Sequence, residues 1–352
     1  VAEARQVQRW SEGWRSRASV ALDTALLFDA QKDLLDSLIP LMARVVDAKS
    51  PYTGRHCERV PELTEMLTRA VCDTTSGPFA DFDLNGEGWY ELHIGAWLHD
   101  CGKVTTPEYV VDKATKLETI TDRIHEVRMR FEVVKREKVI EYQRQVIEGR
   151  ADSGALKQAL DADLAKLDED FKFIAECNRG GEFMAEELMD GVKEMANTTW
   201  TRTLSDRLGV SYDELKRKER EPEIALHCEE PLLADRPDHV IEHNTVVHSA
   251  DPDNPYGFKI EVPENKYNLG ELYNLCISRG TLTEEERFKI NDHIVQTIVM
   301  LESMPFPKHL EKVPEIAGGH HEKMDGTGYP KRLDGTQMSV PARVMAIADV
   351  FE

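Results

Sequence analysis

Gly319-His320-His321-Glu322-Lys323-Met324-Asp325-Gly326-Thr327-Gly328-Tyr329-Pro330 joins two adjacent histidines to a glycine-rich turn that closes on Tyr-Pro. Few unrelated sequences carry that combination. Neutral imidazoles are common metal ligands, and Gly326 and Gly328 punctuate a turn. Consecutive residues on a helix point about 100° apart, so His320 and His321 are expected to bind two different ions. An adjacent His pair taken alone is more often surface chance, so the reading depends on what else the chain places near it.

Four further segments supply candidates. His99-Asp100-Cys101-Gly102-Lys103 sets an imidazole beside a carboxylate, with an ammonium close by to meet a phosphate-like charge. It is predicted to end a helix running from about Trp89 to Cys101, with Gly102 as the C-cap. His56 shares a stripe with Val60, Leu63, Leu67 and Val71 on a helix opened by Thr53 as N-cap and kinked at Pro61. Thr283 and Glu286 form a capping box ahead of Ile290, His293, Thr297 and Met300 on one face. In the last helix, from about Pro341, Asp349 lies on a side lined by Ala342, Met345 and Ala346. A carboxylate there is costly to bury without a cation. Singly, His56 and His293 read more readily as core histidines bonded to a backbone carbonyl; together with Asp349 and the His pair they imply two neighbouring metals.

Composition narrows the function classes. Hydrophobic residues at 41% and charged residues at 31% describe a globular protein, and no apolar run approaches the roughly 18 residues that cross a bilayer. The formal charge of -21 argues against a DNA- or RNA-binding surface, so a small anionic substrate would need a locally cationic site. Six cysteines without paired spacing fit reduced thiols and a cytoplasmic setting. The chain begins at Val1 with no signal-peptide pattern and stops in mid-pattern at Glu352, as a fragment would, leaving room for upstream sensor or membrane segments.

Residues 1–48 read as a helix with Leu27, Leu34, Leu38 and Met42 on one stripe, flanked by Leu26, Leu35 and Leu41, and interrupted or kinked near Pro40. That stripe suits either the domain's own core or a parallel dimer stalk. Between Thr121 and Ile174 two long helices are broken at 149–154 and predict an antiparallel hairpin, followed by helix over Glu182–Met195 and a loop-rich stretch from Pro222 to Pro263. His227, Cys228, His239, His243 and His248 fall in or near that stretch at a spacing that fits no usual zinc pattern.

These residues together resemble the HD-GYP phosphodiesterases, a subgroup of the HD superfamily of metal-dependent phosphohydrolases. The resemblance rests on Tyr52-Thr53-Gly54-Arg55-His56, the motif from His99 to Lys103, Thr281-Leu282-Thr283-Glu284-Glu285 leading to His293, the motif from His320 to Pro330, and Ala342-Arg343 to Asp349. It implies an all-α fold: an HD-type helical bundle with a large, mainly helical insertion and an N-terminal helical segment. The division is 1–48 (N-terminal segment), 49–120 (first catalytic part), 121–268 (insertion) and 269–352 (second catalytic part). His99 and His293 stand 194 positions apart where the family places a few tens, which defines the insertion.

Carried onto this chain, the family's metal ligands are His56, His99, Asp100, His293, His320, His321 and Asp349, with Asp100 bridging. Lys103, Tyr329 and Asp325 fall at substrate-binding positions, and Asp100 and Lys103 at catalytic ones. The position of a third-metal Glu holds Tyr52, so two divalent ions are expected: Fe or Mn by resemblance, with Mg, Ni or Zn open. The implied reaction is attack by a hydroxide held between the metals on a cyclic dinucleotide, cyclic di-GMP or 3',3'-cyclic GMP-AMP. A non-catalytic cyclic dinucleotide receptor and an HD phosphohydrolase of linear nucleotides are the alternatives, disfavoured by the full ligand set and by the intact Gly-Tyr-Pro turn. The family usually continues into a segment with an Arg-Pro-Tyr run that contacts substrate phosphate, and the sequence ends before that position. Expected partners are the cyclic dinucleotide and a second copy, through the N-terminal helix or the insertion, with no nucleic acid polymer and no membrane contact.

Overall fold

The computed structural model describes residues 2–49, 56–150, 152–245, 247–251 and 253–352, without side chains for 2–17 and 28. Tyr52, Thr53, Gly54 and Arg55, with the Thr53 cap and the third-metal position, lie outside the described residues. The chain is mostly helical, as expected. It divides into two compact units, 1–104 with 293–352, and 105–292.

The first unit opens with α1 (Ala2–Asp47), which continues through Pro40 rather than ending there. Its Ile39, Ala43 and Val46 are buried, whereas Leu27, Leu34, Leu38 and Met42 are exposed. The stripe visible in the sequence therefore faces solvent, and a different face meets the bundle. Next comes α2 (His56–Cys72), containing Pro61. Then follows α3 (Gly86–Leu98), started by Asn85, whose side chain accepts from Gly88 N. This helix ends three residues before the expected Cys101, and a 3₁₀ turn, Cys101–Thr105, takes over. Gly102 is thus no C-cap.

The second unit contains α4 (Glu108–Val111), then α5 (Ile124–Ile147) and α6 (Ser153–Asn178). The pairs Lys135–Asp168 (2.6 Å) and Lys138–Asp163 (3.0 Å) run in opposite sequence order, which makes α5 and α6 the expected antiparallel hairpin. Val127, Phe131, Val134, Leu167 and Ile174 form their shared apolar core. Beyond α7 (Glu186–Ala196) the chain forms β1 (Thr199–Arg202), α8 (Tyr212–Lys218) and β2 (Cys228–Pro231). After these come β3 (Val240–Ile241), β4 (Tyr267–Asn268) and α9 (Glu271–Leu275). β1 pairs antiparallel with β2, and β3 with β4. Strands this short show no readable alternation, so this region reads as loop from sequence. Two ion pairs lie in the unit's interior, buried Lys113 with buried Glu286 and half-buried Arg130 with buried Glu271, each at 2.8 Å.

Helix α10 (Glu284–Glu302) carries the expected capping box, with Thr283 N donating to Glu286 Oε2 (2.9 Å) and Glu286 N to Thr283 Oγ1 (3.2 Å). From His293 on, it belongs to the first unit. That unit is completed by α11 (Val313–Gly318) and by α12 (Val340–Phe351), which is capped by Ser339. Val60 of α2, Leu92 and Ala96 of α3, Ile316 of α11, and Met345 and Ala348 of α12 bury one another. Burying each large side chain contributes about 1.5–3 kcal/mol, and this core fixes the four helices whose ends carry the candidate ligands.

Candidate metal centre

His56 begins α2, His99 and Asp100 follow α3, His293 lies in α10, His320 and His321 follow α11, and Asp349 lies near the end of α12. The fold brings all of them together inside the first unit. Among the described residues their donor atoms form two candidate metal-holding groups: His293, His320 and His321, and His56, His99, Asp100 and Asp349.

Asp100 lies between the groups, with Oδ1 3.4 Å from His293 Nε2 and 3.9 Å from His320 Nε2. Its Oδ2 is 3.4 Å from His56 Nε2 and 3.3 Å from His99 Nε2. One carboxylate thus offers an oxygen to each group. Asp349 Oδ1 is 3.2 Å from His56 Nε2 and 3.7 Å from His99 Nε2.

His320 and His321 sit in a turn after α11, so the helical offset of 100° does not apply to them. Their rings are 4.2 Å apart and their donors share one group with His293. This corrects the expectation that the adjacent histidines are divided between two ions. His320 is nevertheless also close to His99, the ring centroids 5.0 Å apart.

Two of the imidazoles are oriented by the backbone. His99 Nδ1 lies 2.6 Å from Ala96 O, and His320 Nδ1 2.7 Å from Ala317 O. A carbonyl only accepts, so each Nδ1 carries a proton and each Nε2 is the atom turned toward the site, as in metal-ligating histidines. Both Nε2 atoms are buried without a hydrogen-bond partner, as are His56 Nε2 and Asp100 Oδ1. Four such atoms converging on one place fit a cation far better than a packed core, where nearly every buried polar atom is paired.

The electrostatics are consistent with that fit. Burial, then the neighbouring His321 and His99, hold His320 well below its ordinary value. Burial and His293 lower His321 to about 4. Both rings are therefore neutral donors. Burial alone would raise Asp100, but His99, Lys103, His293 and His56 outweigh it and hold the carboxyl well below its ordinary value. Burial likewise opposes but does not prevent a lowered Asp349, held down by His56, His320 and His99. Without an ion, Asp100 and then Asp349 raise His56 to about 9, so an ion bound there would displace that proton. Neutral imidazoles and ionised carboxylates are the states that divalent ions require.

Lys103 Nζ donates to Asp100 Oδ2 at 2.5 Å, and Asp100 outweighs burial to raise its value. Tyr329 stacks on His321, the centroids 4.8 Å apart and the planes 15° apart, and burial pushes its phenol up to about 12. Asp325 is exposed, and its Oδ1 accepts from Thr327 N (2.9 Å) and Thr327 Oγ1 (2.6 Å), so its carboxylate shapes the turn. His239, His243 and His248 are dispersed: His239 Nδ1 accepts from Arg236 N, His243 meets Pro263 O and His248 packs on Tyr256.

Two residues escaped the sequence reading. Buried Glu322 accepts from Lys331 N (2.7 Å) and Leu333 N (2.8 Å), tying the far end of the Gly-Tyr-Pro turn to the His pair. Gly102 N donates to Thr297 Oγ1 (2.9 Å), bringing the turn after Asp100 against α10. The identity of Glu322 next to the His pair was the signal for the first; nothing local signals the second.

Residues 227–352 match the family model described as HD domain. Curated relatives match this chain over short stretches. A 3'3'-cGAMP-specific phosphodiesterase 1 of Vibrio cholerae is 42% identical over 89 residues, covering 24% of this chain and 20% of that protein. A cyclic di-GMP phosphodiesterase of the same organism is 36% identical over 83 residues, 22% and 17% of the respective chains. One from Thermotoga maritima is 31% identical over 84 residues, 24% and 23%. The chain spans about a fifth of the length of these curated relatives. No solved structure matches it.

Proposed function

We propose that this chain is the catalytic region of a metal-dependent phosphodiesterase that hydrolyses a cyclic dinucleotide, cyclic di-GMP or 3',3'-cyclic GMP-AMP. The observation that carries the reading is Asp100, whose two oxygens face two separate histidine groups. His293, His320 and His321 would hold one ion, and His56, His99 and Asp349 the other, with Asp100 shared. The mixed imidazole and carboxylate set suits Fe or Mn, and Mg, Ni and Zn remain compatible. Bound divalent ions would supply an activated water nucleophile and offset the charge of the phosphate.

The chain's own groups do the rest. Asp100, buried and anionic, fixes the spacing of the two groups. Lys103 stays protonated and stands where it neutralises charge developing on a phosphoryl oxygen. Tyr329 keeps its proton and is a hydrogen-bond donor beside His321. A cyclic dinucleotide messenger places the region in the cytoplasm. No described helix is long and apolar enough to cross a membrane.

The test is product analysis with protein loaded anaerobically with Fe or Mn. Cyclic di-GMP, 3',3'-cyclic GMP-AMP and a linear dinucleotide are incubated separately and the products separated. Cleavage of a cyclic substrate in preference to the linear one is expected. Binding of cyclic di-GMP without cleavage of any substrate would overturn the proposal in favour of a receptor, and preferential cleavage of the linear nucleotide would make the chain a general phosphohydrolase.

A further inference from the structure

From Val20 onward α1 carries a seven-residue apolar repeat that its own unit leaves uncovered. Val20, Leu27, Leu34 and Leu41 recur at every seventh position, and Leu38 and Val45 fill the alternate position of the last two repeats. All six are between 46% and 66% exposed. The opposite face is engaged, with Ile39, Ala43 and Val46 buried, Lys32 Nζ 4.6 Å from the Tyr90 ring and Tyr90 OH donating to Asp36 (2.7 Å). A helix already seated by one face thus presents a second face, with a heptad seam, to water.

We infer that this seam is the contact of a parallel, in-register two-stranded coiled coil with a second copy of the chain. Three observations favour that occupant. Charged residues stay off the seam: Asp29, Lys32, Asp33 and Asp36 fall on the side of the helix away from it, and Asp23 and Arg44 flank it. The polar seam residues Thr24 and Gln31 occupy the same alternate position as Leu38 and Val45. In a parallel pair each meets its own counterpart, polar on polar; an antiparallel pair sets them against leucines. The third is area. A large aliphatic side chain carries about 100 Å² of apolar surface, so the six seam residues and Met42, roughly half exposed, offer about 400 Å² per copy and about 800 Å² per pair. Apolar atoms make up about 65% of such an interface, which brings the total to about 1,200 Å², above the roughly 1,000 Å² of a specific contact.

The inference does not depend on the proposed reaction, and its test reads mass and geometry. Light scattering coupled to gel filtration, on the whole 352-residue chain, is expected to give twice the chain mass of 40.0 kDa. The double variant Leu27→Lys/Leu34→Lys should return it to one chain mass with unchanged helix content and unchanged metal uptake, and Asp33→Lys should leave the dimer intact. Gln31→Cys should form an interchain disulfide under mild oxidation, at yields the parent chain does not reach, because parallel pairing sets the two thiols opposite one another. A parent that stays at one chain mass at about 100 μM, or a dimer untouched by the double lysine variant, would overturn the inference. So would a dimer whose Gln31→Cys form does not cross-link.

Discussion

Gly102→Ala tests whether the metal centre depends on the closeness of two backbone segments rather than on its ligands alone. A Cβ at position 102 would lie 2.0 Å from His293 O, 2.6 Å from Thr297 N and 2.7 Å from Thr297 Oγ1, where real contacts do not fall below 3.0 Å. The gap to His293 must therefore open by at least 1.0 Å. Two of the three obstructing atoms are backbone of α10, which cannot yield one residue at a time. The shift falls between Asp100, two residues before the substitution, and His293, the residue that owns the closest atom; their donors are 3.4 Å apart. Metal coordination tolerates about 0.2 Å and a preorganised site about 0.5 Å. Overpacking typically costs about 1–3 kcal/mol, and if that cost falls on ion binding, affinity drops by roughly 5- to 150-fold at 1.4 kcal/mol per tenfold. The assay is elemental analysis across a manganese titration, with circular dichroism to show retained helix. Gly86→Ala is the control, because a Cβ there meets nothing within 4 Å. Full metal uptake by Gly102→Ala at parental affinity would refute the reasoning.

Two further outcomes concern other parts of the chain. Glu322→Gln replaces an acceptor of two backbone N–H groups with an amide that accepts only on one side, at about 1–3 kcal/mol; hydrogen exchange at Lys331 and Leu333 should quicken while α5 and α6 are unaffected, and unchanged protection there would count against a clamping role. In the second unit, burial alone would raise Asp206, but Arg236, Lys218 and Arg202 outweigh it and lower the carboxyl to about 2. An unfolded Asp titrates near ~3.9, so this stabilisation is complete above that value and is lost as pH falls toward 2. Asp206→Asn should be less stable at pH 7 and lose less stability than the parent between about pH 4 and 2; equal slopes would sink the assignment.

What was legible in the sequence had strong local chemistry. The capping box at Thr283 and Glu286 forms both of its hydrogen bonds, and the break near Gly149 separates the two arms of the hairpin. Periodicity showed which residues of α1 share a face, but not what covers it: the bundle takes Ile39, Ala43 and Val46 and leaves the leucine stripe outside. The end of α3 was missed because the residues up to Cys101 continue an apparently helical pattern, whereas the need to meet α10 turns the chain after His99. Gly102 looked like a helix terminator, and only the close approach of a segment nearly two hundred positions away shows why its side chain must be absent. The short strands β1 to β4 depend on distant pairing and have no local signature.

The contrast between the buried charges of the two units separates structure from chemistry. In the second unit Lys113 is answered by Glu286 and Arg130 by Glu271, and Lys116 Nζ donates to Leu275 O and Ile277 O, each at 2.8 Å. These groups are desolvated but satisfied, which is how a fold tolerates buried charge. In the first unit His56 Nε2, His99 Nε2, Asp100 Oδ1 and His320 Nε2 are equally buried and have no hydrogen-bond partner. Leaving a buried polar atom unpaired costs about 1–3 kcal/mol, so four at one place would consume much of the roughly 5–15 kcal/mol that holds a domain folded. A cation removes that penalty at every atom simultaneously. Metal removal should therefore destabilise the first unit specifically: chelation by EDTA is expected to lower its melting temperature and leave hydrogen exchange in α5 and α6 unchanged. A melting temperature indifferent to metal would mean that these atoms are satisfied some other way, and the proposed centre would lose its main physical support.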